Sequence, residues 1–422
     1  MKGKMIGLFL TVILLAVSSE AKQYEVWTID QSDTTSDGGG TLYIYNGEDL
    51  EGANAPNAIP TVVDLGGAAR TLCLAQTGSA PRRPHMFFFN ADQTHAVIAF
   101  VATGHVLFMN ATTLAPIQCV DVGVQAHAAV PAHDQSFVVV ANQNGKLLQR
   151  INTDFQTNTF ALDGAATLNL ATCVTPNGAA CEDPVLRPSN RPICPVIDRN
   201  DSFTFVTLAG GGLFVINSRA TPMAIVGEYD KTVVHPDGCG GTQARGQMYI
   251  NSGGALESDL YSFPLSGYSP LNPPNVSAPS LILTHDGVNA DSHGVVATKH
   301  ERFLWVAERF ANNVFIVDTF SNTPVNQFSL TGDVSLDPAP DLMDISPSGN
   351  RIFFSMRGPN PLTGNNPIFN NAVGNTPGLG IIRVTGNGGN GEFFARVPIS
   401  HLVGGVERAD PHGLKVRISG DD

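Results

Sequence analysis

Ser292-His293-Gly294-Val295-Val296-Ala297, followed after a polar turn by Phe303-Leu304-Trp305-Val306-Ala307, is the unit that decides how this chain reads. A turn ends in histidine, and a short apolar strand follows. A polar turn then leads into a second strand rich in Val and aromatic residues, and that strand enters a hairpin. The same pattern stands without a gap at Pro84-His85-Met86 before residues 95–99 and at Ala126-His127-Ala128 before residues 137–141. Weaker copies begin at Pro192-Ile193-Cys194 and Pro340-Asp341-Leu342, and a degenerate one at His235-Pro236-Asp237 before residues 247–251. A last anchor, Pro411-His412-Gly413, is followed by a single apolar strand at 414–418. Self-similarity at this period is the mark of a repeat architecture.

Because the last unit has only one strand, the N-terminus is expected to supply the rest, at residues 25–29, 41–45 and 61–65. Third strands fall at 41–46, 105–109, 146–151, 212–216, 259–263, 313–317 and 379–384, one for each anchor. The reading is therefore an all-β, seven-bladed β-propeller over residues 22–422, its closing blade built from both termini. Stacking blades radially covers both faces of sheets that are too small to be stable alone. Helical periodicity is expected to be essentially absent from the mature chain.

The turn Ser346-Pro347-Ser348-Gly349-Asn350-Arg351 within residues 341–355 resembles the P-x-G-V-x-x-S-P-D-G-x-x-V-Y-V repeat of YVTN-type (YncE-like) propellers. His293-Gly294-Val295 and His412-Gly413-Leu414 fit the same pattern. The resemblance spans nearly the whole mature chain and implies the fold. It implies no single activity, because relatives of this architecture include lactonase-like enzymes, copper-enzyme domains and cell-surface proteins.

Residues 1–21 read as a signal peptide: Lys2 and Lys4 precede an apolar run at 5–17, and Ser19-Glu20-Ala21 supplies a small-x-small cleavage site. The mature protein is expected to be secreted or periplasmic, with no integral membrane segment. The full chain has 422 residues and a formal net charge of −13, which argues against nucleic acid as a partner. Charged residues are only 14%, against 43 Gly and 28 Pro, a turn-rich β composition. Six cysteines in an oxidising compartment allow fifteen pairings. Cys173 with Cys181, close together in a Pro/Asn/Gly-rich loop, is the pairing expected first.

In a propeller the first residues of the inner strands converge on the central channel. Here that ring reads His85, His127, Ile193, Asp237, His293, Asp341 and His412. Imidazoles with a carboxylate suit a divalent or transition metal ion, so His85, His127, His293, His412 and Asp341 are the candidate metal ligands. The bland alternative is that histidine is a frequent filler of this turn. Loops between second and third strands open on the same face and carry Asn142, Glu308, Arg309 and Arg357, candidates for ligand binding. The two arginines suit an anionic group, or else serve as ion-pair partners, with Glu308 for instance. The segment 358–378 is a candidate cover for the channel mouth. No nucleophile elbow or paired carboxylates support a hydrolase of familiar type. Two functions remain. One is a binding or surface scaffold for a small molecule, saccharide or protein at the channel mouth. The other is a metal-dependent oxidoreductase, lyase or lactonase-like enzyme using the same histidines.

Overall fold

The computed structural model describes residues 23–254, 257–270, 278–285, 287, 290–360 and 372–419. Seven four-stranded antiparallel sheets form the ring. The inner strands are Pro84–Phe89, Ala126–Pro131, Pro192–Ile197, Gly241–Ala244, Ser292–Ala297, Pro340–Ile345 and Pro411–Ile418. We number the blades one to seven in that order. Second strands such as His95–Phe100 and Phe137–Asn142 are buried along their whole length, because a neighbouring blade covers each face. The outer strand Thr323–Ser329 is exposed on most of its residues. The core is thus a series of wedges between blades, such as Trp27, Phe87 and Ile98 between the seventh and first, and Trp305, Phe354 and Ile382 between the fifth and sixth.

The seventh blade joins the two ends of the chain. Tyr24–Asp30 pairs with Thr41–Asn46 on one side and with Pro411–Ile418 on the other, in register Val26↔Val416 and Thr28↔Leu414. Arg417 ties this blade to the first: its guanidinium donates to Glu25 at 3.0 Å, to the carbonyl of Gln93 at 2.9 Å and to the Thr112 hydroxyl at 2.9 Å.

Two elements depart from the sequence reading. Ala68–Thr77 is an α-helix, closed by Gly78 at φ 82. Its buried Ala69 and Cys73, with the half-buried Leu72, pack against blade one, and Cys73 is disulfide-bonded to Cys119 of the strand Pro116–Asp121. Six of its ten residues are apolar, but Ala68, Leu74 and Ala75 are exposed, which blurs the periodic signal. The second departure is the anchor of blade four, which is Cys239 rather than Asp237. Cys239 stands two residues before Gly241, which pairs with Ile250, as His293 stands two before Val295, which pairs with Val306. Gly238 is required there because a Cβ would lie 1.8 Å from the Asn251 carbonyl oxygen.

The expected Cys173–Cys181 disulfide is present, and Cys194–Cys239 is the third. Three disulfides fit an extracellular or periplasmic protein. Among the described residues no helix is long and apolar enough to cross a membrane. The signal segment at 1–21 and residues 361–371 of the expected cover lie outside the described residues.

Candidate functional site

A β-bulge opens six of the inner strands at the anchor. Register shifts fall between Pro84 and Met86, Ala126 and Ala128, Pro192 and Pro195, Ser292 and Val295, and Pro340 and Met343, and opposite His412 between Thr28 and Asp30. A bulge re-aims the side chain it carries, and here it gathers the anchors at the channel. The His85 and His412 rings stack with centroids 3.7 Å apart, His85 meets His127 edge-on at 4.6 Å, and His412 meets His293 at 5.2 Å.

Asp341 lies at the centre. Its Oδ1 is 2.7 Å from His293 Nδ1 and 3.6 Å from His412 Nε2, and its Oδ2 is 2.7 Å from Arg357 Nη1 and 3.4 Å from Arg309 Nη1. Asp341 is fully buried, and His412, His293 and His85 are nearly so. Each arginine has a second carboxylate. Arg309 grips Asp291 through Nε and Nη2, both at 2.9 Å, and Arg357 grips Asp410 through Nε and Nη2. The Arg83 guanidinium is a third cation in electrostatic reach of Asp410, so three aspartates here meet three guanidiniums.

Hydrogen bonds fix the tautomers. The Gln31 amide nitrogen donates to Asp410 Oδ2 at 2.7 Å, so its carbonyl oxygen faces His85 Nδ1 at 3.0 Å and must accept from it. His85 Nε2 is then a lone pair, and it has no hydrogen-bond partner among the described residues. His412 Nδ1 lies 3.2 Å from the His85 carbonyl oxygen and donates to it, which leaves His412 Nε2 as a lone pair facing a carboxylate oxygen. His293 Nδ1 and Asp341 Oδ1 are close but form no properly directed hydrogen bond. Burial lowers the pKa of all four histidines, that of His127 to about 3, so the imidazoles are neutral at ordinary pH. Burial alone would raise the Asp341 carboxyl; His293, His412, Arg309 and Arg357 together outweigh it and hold it well below the usual range.

Of the loop candidates, Arg309, Arg357 and Glu308 join this layer and Asn142 does not. Glu308 does not pair with Arg309. Its Oε2 accepts the Asp291 backbone N–H at 2.9 Å, and burial pushes its carboxyl up to about 8. Asn142 clamps its own turn, accepting from the N–H of Gly145 at 3.1 Å and donating to the Val122 carbonyl at 2.6 Å. The sequence reading missed Asp291 and Asp410, and placed Gln31 in a loop between second and third strands on this face without its partners. A signal for the first two exists: each stands two residues before an anchor histidine, in Asp291-Ser292-His293 and Asp410-Pro411-His412.

The expected channel mouth is closed. Gln31, Arg309, Arg357 and Asp410 lie over the histidines and are themselves buried. On the other side of the anchors the channel widens into a cavity of 240 Å³, lined by Met86, Phe88, Ala128, Cys194, Val295 and Leu342 among others. These residues follow the anchors along the inner strands. The site is therefore a polar cap above an apolar chamber.

No protein-family profile matches the chain, and no curated protein matches it in sequence. Its fold is shared with many solved structures. A proposed 6-phosphogluconolactonase of Bacteroides fragilis superimposes with a TM-score of 0.59 at 14% identity, over 94% of this chain and 99% of that one. The periplasmic gluconolactonase of Pseudomonas aeruginosa gives 0.58 at 14% identity, with the same shares. A protein from Lactobacillus plantarum gives 0.59 at 11% identity, over 93% and 99%. At such identities the likeness is one of fold.

Proposed function

We propose that this protein is a secreted or periplasmic metal-binding propeller, of the YVTN type, whose channel cap holds a divalent or transition metal ion through His293, His412 and Asp341. One observation carries this reading: acceptor atoms of these three buried residues lie within 4.8 Å of one another, with the His412 lone pair turned toward a carboxylate oxygen. Two lone pairs facing each other at 3.6 Å in a water-poor interior repel, and a cation between them removes the repulsion. Two imidazoles and one carboxylate are a known set for iron and related metals with open coordination positions, and His85 Nε2 stands beside them. In this reading Arg309 and Arg357 orient Asp341 and hold it ionised instead of gripping an external anion. Glu308 acts through Asp291, and Asn142 shapes its loop. A small molecule would approach from the apolar chamber.

A second reading is a lactonase-like enzyme in which the ion polarises a lactone carbonyl. Its support is the fold shared with a gluconolactonase together with a chamber of small-molecule size. Both readings meet the same first experiment. Metal-stripped protein is titrated calorimetrically with Zn²⁺, Mn²⁺, Fe²⁺ and Ni²⁺, and the reconstituted protein is analysed for metal. One ion per chain is expected, and the His293→Ala and Asp341→Asn variants should lose it. Folded wild-type protein that takes up none of these ions overturns the metal site and the lactonase reading with it. A panel of lactones assayed on loaded protein then separates binding from catalysis.

A further inference from the structure

Met86, His127, Cys194 and Cys239 meet in the channel wall next to the cap, contributed by blades one, two, three and four. Met86 Sδ lies 3.8 Å from Cys194 Sγ and 3.8 Å from Cys239 Sγ, and His127 Nδ1 lies 3.8 Å from Cys194 Sγ. Cys194 and Cys239 are joined as a disulfide with Cα atoms 5.0 Å apart. Met86 and both cysteines border the 240 Å³ cavity.

A buried Met beside a cystine is ordinarily plain packing. The spacing here suggests more. Ligands held about 2.3 Å from a tetrahedral metal stand about 3.8 Å from one another, and three of the contacts in this cluster have that separation. The chemistry is also of one kind. Two potential thiolates, a thioether and an imidazole are a soft set, which selects Cu(I) over the harder divalent ions. None of these four side chains is among the proposed ligands of the cap, so this site does not rest on that reading.

We propose that the Cys194–Cys239 disulfide is the metal-free, oxidised state of a Cu(I) site made by Cys194, Cys239, Met86 and His127, opened by a small thiol reductant. Two thiols, RSH, reduce the bridge: its S–S bond breaks, the two hydrogens pass to Cys194 and Cys239, and one RSSR forms. Binding of Cu(I) then displaces both cysteine protons into solvent. The cavity has the volume of about eight liquid waters, which admits both the reductant and the ion to the sulfur atoms.

The test uses the full mature chain, reduced anaerobically with a small monothiol, desalted and titrated with Cu(I) against a coloured Cu(I) chelator. Folding is followed by circular dichroism. Reduced wild type should withdraw one Cu(I) more than the Cys194→Ser/Cys239→Ser protein reduced in parallel. Copper X-ray absorption should report sulfur neighbours at about 2.3 Å. Met86→Leu, which keeps both thiols, should weaken Cu(I) by about 10- to 100-fold, and unreduced protein should withdraw none. The Asp341→Asn variant should bind Cu(I) as wild type does, which separates this site from the cap. Equal uptake by wild type and the double serine variant, loss of uptake in Asp341→Asn, an unchanged affinity in Met86→Leu, or unfolding on reduction would each overturn the proposal.

Discussion

Asp341 is the side chain on which the cap depends, because four groups from blades five, six and seven end on its two oxygens. Asp341→Asn keeps the shape and removes the charge between two buried guanidiniums. Breaking a buried ion pair from one side costs about 3–5 kcal/mol, and urea unfolding of this variant should show a loss of that order. Glu308 gives a pH dependence of definite sign. Its carboxyl is raised from the usual 4.5 to about 8 by burial, so the folded state holds the proton more tightly than the unfolded state. Its stabilising effect is full below pH 4.5 and is lost as pH rises through about 8. Asp30, raised by burial to about 7, acts in the same direction over a lower window. The buried histidines, whose lowered pKa values act in the opposite direction below about pH 6.5, are common to wild type and Glu308→Gln, so the stability of wild type relative to the variant should fall from pH 5 to 8, with the change greatest at pH 8. Parallel curves would remove Glu308 as the cause. The identities of the four histidines and Asp341 were legible from the repeat. Their partners Asp291 and Asp410 were not, because an ion pair is a property of approach and no periodicity marks it.

At the scale of elements, the inner strand Pro411–Ile418 is the one whose removal opens the ring. Deleting residues 414–418 leaves residues 24–28 unpaired on their channel side and removes Leu414 and Val416 from the core. The truncated protein should be largely unfolded at temperatures where the full chain is native, as read by circular dichroism. If it melts with the full chain, the strand does not close the ring. The helix Ala68–Thr77 is held by a covalent bond at its centre. Cys73→Ser/Cys119→Ser removes a crosslink with a sequence separation of 46, and the chain-entropy argument puts the loss at about 4 kcal/mol. The third strands were legible because each is a short run carrying Leu, Ile, Val or aromatic residues between turn signals. The fourth anchor was misplaced by two residues because Gly238-Cys239-Gly240 carries neither the Pro nor the His that marks the others.

For the whole molecule, a metal in the cap would be held by side chains of blades five, six and seven and would bind only the closed ring. A ligand that binds only the native state stabilises it by RT ln(1 + [L]/Kd), about 2.7 kcal/mol at a hundredfold excess over Kd. Metal added to stripped wild type should therefore raise the melting temperature, and added to Asp341→Asn should leave it unchanged. The sequence by itself determined the seven blades, the sharing of the last by both termini and six of the seven residues at the ring, because strand, turn and repeat are local patterns that recur along the chain. Only the tertiary structure decided that the mouth is sealed, that the open chamber lies beyond the histidines and that Cys239 holds the fourth place. Those facts depend on bulges that aim side chains inward and on contacts such as His412 with His85, 327 residues apart. The depth of burial that keeps the imidazoles neutral arises only when the ring closes around them.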